Sequence, residues 1–511
     1  MKFTVRNLTP VSITFELENQ EIYQVKDPFD VLLNGKKVLT TTHNVFSLFD
    51  LKDDEDYVVT IGSDSYSFHT PKASYILHVK DFLRGFKGED QTLPIQTAIS
   101  YTPRNGLLVF EEGEYPVTSL FFHSQMTVYL KKGAVIKGNP DVSAYPLMPG
   151  EIPSTHDEKP YELQPWEGNP FASKTSLINV IGCEDVAFTG EGVLDGQAQL
   201  SSFWIDVKKL PYGRPRMIFV EHSDHVTFNG ITVKNSPAWT IHPYFSDNLG
   251  FYDMDILNPK DAPNTDGIDP ECCDNIQILG IRFSVGDDCI ALKSGKIQIG
   301  KTFHKPLSHC LIRNCFMNEG HGAVVLGSEA GAGIKDLTVE RCYFKHTDRG
   351  LRIKSRRGRG KDSILDNVVF KDIRMDNVLT PLVINMFYFC DPDGKSEYVQ
   401  TKSPLPVDER TPYLGHFTFE RIVATDCEVA LGFFYGLPEQ KIASITIKDS
   451  TFTVKKNARG GMPAMLCDLS PMAQRGFLFC HVGEVTLDHV SATGYIGEEV
   501  ELKDVSTYHC L

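Results

Sequence analysis

The sequence predicts an all-β protein, a right-handed parallel β-helix of about ten coils preceded by a small β-sandwich. Apolar and polar residues alternate over short runs, as strands require. Forty glycines and many Asn and Asp turns separate these runs. A loose repeat recurs at intervals mostly between about 23 and 34 residues, shorter than the ~40 to 45 of a propeller blade. A solenoid that stacks Ile, Val, Leu and Phe inward therefore fits best.

Composition excludes several function classes. The 511 residues carry a formal net charge of −15, so an anionic partner needs a local basic patch and a general nucleic-acid binder is not expected. No apolar run reaches the ~18 to 20 residues of a membrane helix. The twelve cysteines lack zinc-like spacing, and neither a metal nor a cofactor is predicted.

The beginning of the sequence and the cysteines bear on location. The charged start at Met1 is followed by no apolar run of signal-peptide length. Free buried thiols in a reducing cytosol are then the simpler interpretation, and we expect a cytoplasmic protein. A secreted or periplasmic location follows instead if a signal was removed. The oligomeric state stays open.

The first domain is predicted at residues 1–74. Short alternating runs separated by turns such as Asn34-Gly35 are typical of a small β-sandwich. The segment from Leu51 to His69, with Tyr57 near its start, resembles a fibronectin type III domain. Two roles remain open for it, a carbohydrate-binding or substrate-positioning module and a spacer or interface domain.

The second domain is predicted at residues 77–511. A helical segment around residues 91–99 would cap the open end of the stacked strands. From there ten short strand centres occupy comparable places in the repeat. They are Val186-Ala187-Phe188, Val226-Thr227-Phe228, Leu249-Gly250-Phe251, Ile276-Gln277-Ile278, Cys310-Leu311-Ile312, Leu337-Thr338-Val339, Val368-Val369-Phe370, Phe417-Thr418-Phe419, Ile445-Thr446-Ile447 and Val485-Thr486-Leu487.

The central block, residues 264–354, allows a prediction of register. Aligning the strands that begin at Ile290, Val324 and Leu351 keeps the alternation intact. The outward side chains are then cationic, namely Lys293, Arg352 and Lys354. Neighbouring coils lie ~4.8 Å apart, so these cations can reach one anionic chain. The same alignment brings Asp266 beside Asp288, with Asp287 and His321 next to them.

Four ordered motifs on this repeat resemble the signature of glycoside hydrolase family 28, the polygalacturonases. The motifs are Asn264-Thr265-Asp266-Gly267, Gly286-Asp287-Asp288, Gly320-His321-Gly322 and Arg352-Ile353-Lys354. Weaker similarity accompanies them at Gly192-Val193-Leu194-Asp195-Gly196-Gln197, Asn235-Ser236-Pro237-Ala238-Trp239 and Thr347-Asp348-Arg349-Gly350. The resemblance covers roughly residues 77–500.

The resemblance implies inverting hydrolysis of α-1,4-galacturonosyl linkages in polygalacturonate and oligogalacturonates. Asp287 would be the general acid, while Asp266 and Asp288 would position and deprotonate water. His321 would help to fix the protonation state of the acid. Four residues would bind the substrate, the first two of them at the uronate carboxylate. These are Arg352, Lys354, Lys293 and Asn264.

Several of these residues also have structural interpretations. Asp269 could be a turn or ladder residue, and Trp239 is more often core than a sugar platform at such a position. Residues 349–361 contain a cluster of cations, and such a cluster usually lies on a solvent-exposed face. For three arginines of this cluster, substrate binding and loop anchoring stay equally open. These are Arg356, Arg357 and Arg359.

Two long insertions, residues 140–174 and 388–414, favour a pocket closed at one end and hence exo-action on chain termini. The first includes the segment 153–158 and Trp166. Within the family the alternatives are an endo-polygalacturonase and a rhamnogalacturonan or xylogalacturonan hydrolase. Outside it they are a pectate lyase on the same fold and a non-catalytic carbohydrate-binding β-helix.

Overall fold

The predicted fold class is confirmed by a computed structural model, which describes residues 1–154, 159–207, 210 and 212–511. A small pair of antiparallel sheets is followed by a right-handed parallel β-helix that contains most of the strands. None of the helices in these described ranges is long and apolar enough to cross a membrane.

The N-terminal domain consists of two antiparallel sheets. One has three strands, in the order Phe3–Leu8, Ile13–Leu17 and Val45–Leu48. The other has four strands, in the order Lys36–His43, Gln24–Leu33, Asp56–Ile61 and Asp64–His69. Alternating apolar side chains of both sheets, such as Phe15 and Val59, share one core. The fibronectin type III assignment stays a prediction, as do the domain boundaries.

Glu16 attaches the N-terminal domain to the β-helix. Its carboxylate is almost fully buried and accepts hydrogen bonds from Arg6, Arg313 and Asn314, each at 2.7 Å, and from Arg341 at 3.4 Å. A buried charge is tolerated when several donors surround it in this way. The domain is therefore fixed against the middle coils.

The longest stack of parallel strands confirms the predicted repeat. All ten predicted strand centres are aligned, from Val186 opposite Val226 through to Ile445 opposite Val485. The strands of this stack are Gly106–Phe110, Met126–Leu130, Glu184–Gly190, Asp224–Asn229, Asp247–Tyr252, Asp274–Leu279, Ser308–Arg313, Ile334–Glu340, Ile364–Asp376, His416–Cys427, Ile442–Val454, Arg475–Thr493 and Val500–Cys510. Ile76–His78 pairs with its first strand.

Two further stacks complete the coils. One consists of Gly113–Val117, Ala134–Gly138, Val193–Asp195, Thr232–Lys234, Asp255–Leu257, Arg282–Ser284, Phe316–Asn318 and Tyr343–Lys345. The other, which we call the site sheet, consists of Leu120–Phe122, Ile178–Ile181, Ile218–Glu221, Ile241–Tyr244, Ile290–Leu292, Val324–Gly327, Arg349–Lys354, Thr380–Asn385 and Ala430–Tyr435. Inward apolar side chains of all three stacks form one continuous core.

Helices occur at the end of the solenoid and in its insertions. Val79–Phe82 and Thr92–Tyr101 cover the N-terminal end, where Ile95, Ala98 and Ile99 are buried, which matches the predicted cap. Ile297–Phe303 and Glu397–Gln400 lie in loops. Among the described residues, Val142–Ala144 and Ala198–Leu200 form 3-10 turns.

The described residues of the first insertion form short strands. These strands form three short antiparallel pairs. These join Leu147–Met148 to Ser173–Lys174, Glu151–Ile152 to Tyr161–Glu162, and Pro165–Trp166 to Asn169–Pro170. Of the segment 153–158 in this insertion, residues 155–158 lie outside the described ranges. The second insertion contains the short strand Tyr413–Leu414.

Candidate active site

The site is built on the outward face of the site sheet. The predicted register is confirmed, since Ile290 lies opposite Val324 and Val324 opposite Leu351. Ile268 joins the sheet as a bridge between Ile241 and Ile290, which puts the first motif on the coil before the second. Side chains of alternate residues therefore project from adjacent coils into one groove.

A cavity of about 420 Å³ lies over this groove. Seven of the eight predicted site residues line it, whereas Asp288 is fully buried beneath them. The seven are Asn264, Asp266, Asp287, Lys293, His321, Arg352 and Lys354. Residues that lie up to 90 positions apart in the sequence therefore meet in one place.

Asp288 is the ionised carboxylate of the cavity floor. Lys354 Nζ donates to its Oδ2 at 2.8 Å, and Arg352 donates to its Oδ1 at 3.1 Å. Burial alone would favour the neutral acid, but the charges of Lys354 and Arg352 hold the pKa of Asp288 well below its usual range. Asp288 therefore keeps its charge.

The pKa values of Asp266 and Asp287 are raised, in contrast to that of Asp288. Burial raises the pKa of Asp266 well above its usual value, and the neighbouring Asp269 and Asp287 add to the effect. Burial also raises the pKa of Asp287, with Asp288 as the next cause. A protonated and an ionised carboxyl side by side are what acid–base chemistry requires.

Oxygens of the three catalytic candidates lie within 4.8 Å of one another, a spacing that a cation could also use. Both oxygens of Asp288 already accept from Lys354 and Arg352, however, and a metal ion would lie beside these two positive charges. The donor set of Asp266, Asp287 and Asp288 therefore fits proton transfer better than metal ligation.

His321 is held by a carboxylate that the sequence analysis did not single out. Its Nδ1 lies 2.9 Å from Asp348 Oδ2, and its backbone N–H donates to the carbonyl of Asp287 at 3.0 Å. The hydrogen bond with Asp348 raises the pKa of His321. Asp348 lies within a family-like stretch, Thr347-Asp348-Arg349-Gly350, which was the available signal.

Lys293 is less exposed than we expected for a cation on the outward face of the sheet. It is 3% exposed and pairs with Glu329 at 3.1 Å. Its Nζ also lies 4.4 Å from the centre of the Trp239 ring. Trp239, predicted as core, is buried and lines the cavity as well. Nothing in the sequence linked Glu329 to Lys293.

Asn264 and Asp269 also have distinct positions. Asn264 lines the cavity, and its side-chain oxygen accepts from Arg214 at 2.6 Å. Asp269, left open as a turn residue, is fully buried, and neither carboxyl oxygen has a hydrogen-bond partner among the described residues. Burial raises the pKa of Asp269 well above its usual value.

The three arginines beyond the fourth motif anchor loops. Arg356 pairs with Asp393 at 2.7 Å, and Arg359 pairs with Asp391 at 2.7 Å. Arg357 contacts Glu439 at 2.5 Å and donates to carbonyls of the second insertion. Of the two interpretations that the sequence left open, the contacts favour loop anchoring.

Loop residues supply the walls of the cavity. The two insertions were predicted to close it, and their lining residues are Trp166, Glu167, Tyr388, Cys390 and Asp391. Met465 comes from a third loop that sequence reasoning missed. Its backbone carbonyl accepts from Asn385 at 3.0 Å, a contact between distant residues that no local pattern announces.

Comparison with known proteins matches part of the chain to one family. Residues 164–402 match the family described as Glycosyl hydrolases family 28. The chain is 32% identical to a probable polygalacturonase of Vitis vinifera over 57% of this chain and 60% of that protein. It is 26% identical to an exo-poly-alpha-D-galacturonosidase of Dickeya chrysanthemi over 63% of this chain and 58% of that one. The chain thus spans about 60% of the length of these relatives.

Two solved structures share the fold. The exopolygalacturonase of Thermotoga maritima superposes with a TM-score of 0.67 at 24% identity, over 82% of this chain and 92% of that one. The family 28 exopolygalacturonase of Yersinia enterocolitica superposes with a TM-score of 0.71 at 17% identity, over 100% of this chain and 98% of that one. Residues 164–402, which contain the four motifs, thus match glycosyl hydrolases family 28, and the two structures show the same fold.

Proposed function

We propose that the protein hydrolyses α-1,4-galacturonosyl linkages of polygalacturonate and oligogalacturonates. One observation carries this proposal. The cavity joins two carboxyls with raised pKa values, Asp266 and Asp287, to an ionised Asp288 that is held by Arg352 and Lys354. Acid–base groups and cations suited to a uronate thus line the same 420 Å³.

The carboxyls would divide the reaction between them. Asp287 gives its proton to the glycosidic oxygen as the C–O bond breaks, and water attacks the anomeric carbon. Asp288, the ionised carboxylate, accepts the proton of that water, and Asp266 helps to orient it. Asp287 loses one proton and Asp288 gains one in each turnover, so the step balances. His321, charged more readily because of Asp348, lies beside Asp287 and steadies its charge after donation.

Arg352 and Lys354 can bind a substrate carboxylate without releasing Asp288. Arginine has five N–H donors and lysine has three, and Asp288 accepts one bond from each. Arg352 also contacts Met465 Sδ at 3.1 Å, and both cationic side chains line the cavity, where their other donors can meet a substrate. A neutral sugar at this position would leave those donors unpaired, which favours a uronate over rhamnose or xylose-substituted backbones.

Exo-action follows from the enclosure of the cavity. Trp166 and Trp239 stack at 5.2 Å on the side of the early coils, and Tyr388 and Met465 line the side of the later coils. The first insertion is held firmly, since Met148 and Leu163 pack into a buried cluster on the coils. A long chain cannot lie straight through such a pocket, whereas a chain end can enter it.

The product profile on polygalacturonate tests the proposal. We expect monomer or dimer from the first minutes, with little change in the length of the remaining polymer. Early release of intermediate oligomers would instead indicate endo-action. Products that absorb in the ultraviolet would indicate elimination by a lyase, and no release of reducing ends would favour a binding β-helix.

A further inference from the structure

A tight hairpin closes the cavity on the side of the early coils. Pro165–Trp166 pairs with Asn169–Pro170, and Glu167 and Gly168 form the two-residue turn between them. The φ angles of Glu167 and Gly168 are 48° and 75°, as a type I′ turn requires. We call these six residues, 165–170, the stop hairpin.

The tip of the stop hairpin is wedged against the groove. The carbonyl of Gly168 accepts the backbone N–H of Lys296 at 2.9 Å. A Cβ at Gly168 would lie 2.8 Å from the Lys296 nitrogen and 2.9 Å from a Glu329 side-chain carbon, so only glycine fits there. Behind the tip, Trp166 stacks on Trp239. The hairpin is therefore a fixed wall.

Glu167 carries the carboxyl group on this wall that has no partner among the described residues. It lines the cavity and makes no hydrogen bond or ion pair with any residue in the described ranges. The other two carboxylates at this end are paired, Glu329 with Lys293 and Asp391 with Lys296 and Arg359. A free carboxylate repels a further uronate and accepts strong hydrogen bonds from sugar hydroxyls.

We infer that Glu167 is a specificity-determining residue that binds hydroxyls of the terminal sugar at the stop hairpin. This inference rests on the proposed function and extends it from enclosure of the cavity to recognition of a chain end. A terminal residue offers a hydroxyl where an internal residue continues into a glycosidic bond. Glu167 pairs with that hydroxyl, and the next uronate of a longer chain would meet both the wall and its charge.

End-modified trimers test the inference. One trimer carries a 4,5-unsaturated non-reducing residue, which lacks the C4 hydroxyl, and another carries a reduced, open-chain reducing end. Each is compared with unmodified trigalacturonate by kcat/KM. The variants are Glu167→Gly, which suits the positive φ, and Glu167→Gln, which keeps the shape but removes the charge. Asn169→Ala, exposed on the same hairpin and outside the cavity lining, is the matched control.

We expect the wild type to prefer the unmodified trimer over one modified trimer by about tenfold or more, as loss of a charged hydrogen bond predicts. In Glu167→Gly the ratio of the two kcat/KM values falls close to one, and in Glu167→Gln it lies between one and the wild-type ratio. Asn169→Ala keeps the wild-type ratio. The modified trimer that responds identifies the terminus at the hairpin. An unchanged ratio for both trimers in Glu167→Gly would overturn the inference. Absence of wild-type hydrolysis would refute the proposed function instead.

Discussion

Lys354 Nζ lies 2.8 Å from Oδ2 of Asp288, a carboxylate that has no exposed surface. This contact and the adjacent one with Arg352 compensate for burying the negative charge. They also explain why the motif that contains Arg352 and Lys354 and the motif that contains Asp288 occur together. The cations hold the floor of the cavity as well as the substrate.

Asp288→Asn should destabilise the protein, because it leaves two buried cations without their anion. We expect a loss of roughly 3–5 kcal/mol in the free energy of unfolding, measured with urea at neutral pH. The pKa of Asp288 is depressed, so its stabilising effect is present above the unfolded pKa and fades as pH falls through the folded one. A variant as stable as the wild type would show that the contacts of Asp288 with Lys354 and Arg352 add nothing to the stability of the fold.

Asp348→Asn should lower the pKa of His321. The hydrogen bond with Asp348 raises this pKa, so the charge of His321 favours the folded state below the unfolded pKa and stops doing so as pH rises through the folded one. Without Asp348 the imidazole loses its proton at lower pH, and kcat should begin to fall at lower pH too. An NMR titration of the His321 ring measures this pKa directly. The same pKa in the wild type and in Asp348→Asn would show that Asp348 does not raise it.

The groove was predictable because its register depends on a period of two that the sequence displays. Ile290, Val324 and Leu351 could be aligned from alternation alone, and the charged motifs followed into place. The same logic aligned all ten predicted strand centres of the longest stack. Inward apolar residues repeat because each coil buries its face only against its neighbours.

The walls were not predictable in the same way. Glu329, Met465 and the stop hairpin come from turns and insertions whose position depends on contacts far away in sequence. Lys293 was correctly assigned to the groove, but its partner Glu329 lies 36 residues later with no pattern joining the two. Loop positions of this kind are decided by tertiary packing, so local patterns carry little information about them.

Substrate affinity should weaken as pH rises. Asp266 and Asp287 keep their protons to higher pH than ordinary carboxyls, mainly because they are buried. When they ionise, they add negative charge beside an anionic substrate, so KM for trigalacturonate should increase as the pH rises above the range in which ordinary carboxyls titrate. Steady-state kinetics above that range test it. A constant KM would mean that these carboxyls do not ionise there.

Stereochemistry provides a separate test, because the carboxyls lie close together. Oxygens of Asp266, Asp287 and Asp288 lie within 4.8 Å of one another, whereas inverting glycosidases usually separate their two carboxyls by ~6.5–9.5 Å. Family resemblance implies inversion, so the first product from an α-linkage should be the β-anomer. Proton NMR in the first minutes distinguishes the two anomers. Initial α-anomer would indicate retention through a covalent intermediate.

The proposed function makes Asp287 the proton donor in hydrolysis of polygalacturonate. Reducing-end release from polygalacturonate by the wild type and by Asp287→Asn tests it most directly. Asp195→Asn serves as the control, since Asp195 is buried and bonds Asn235 away from the cavity. We predict a loss of about 10²–10⁴-fold in kcat for Asp287→Asn and little change for the control. Equal rates for wild type and Asp287→Asn would show that Asp287 is not the proton donor.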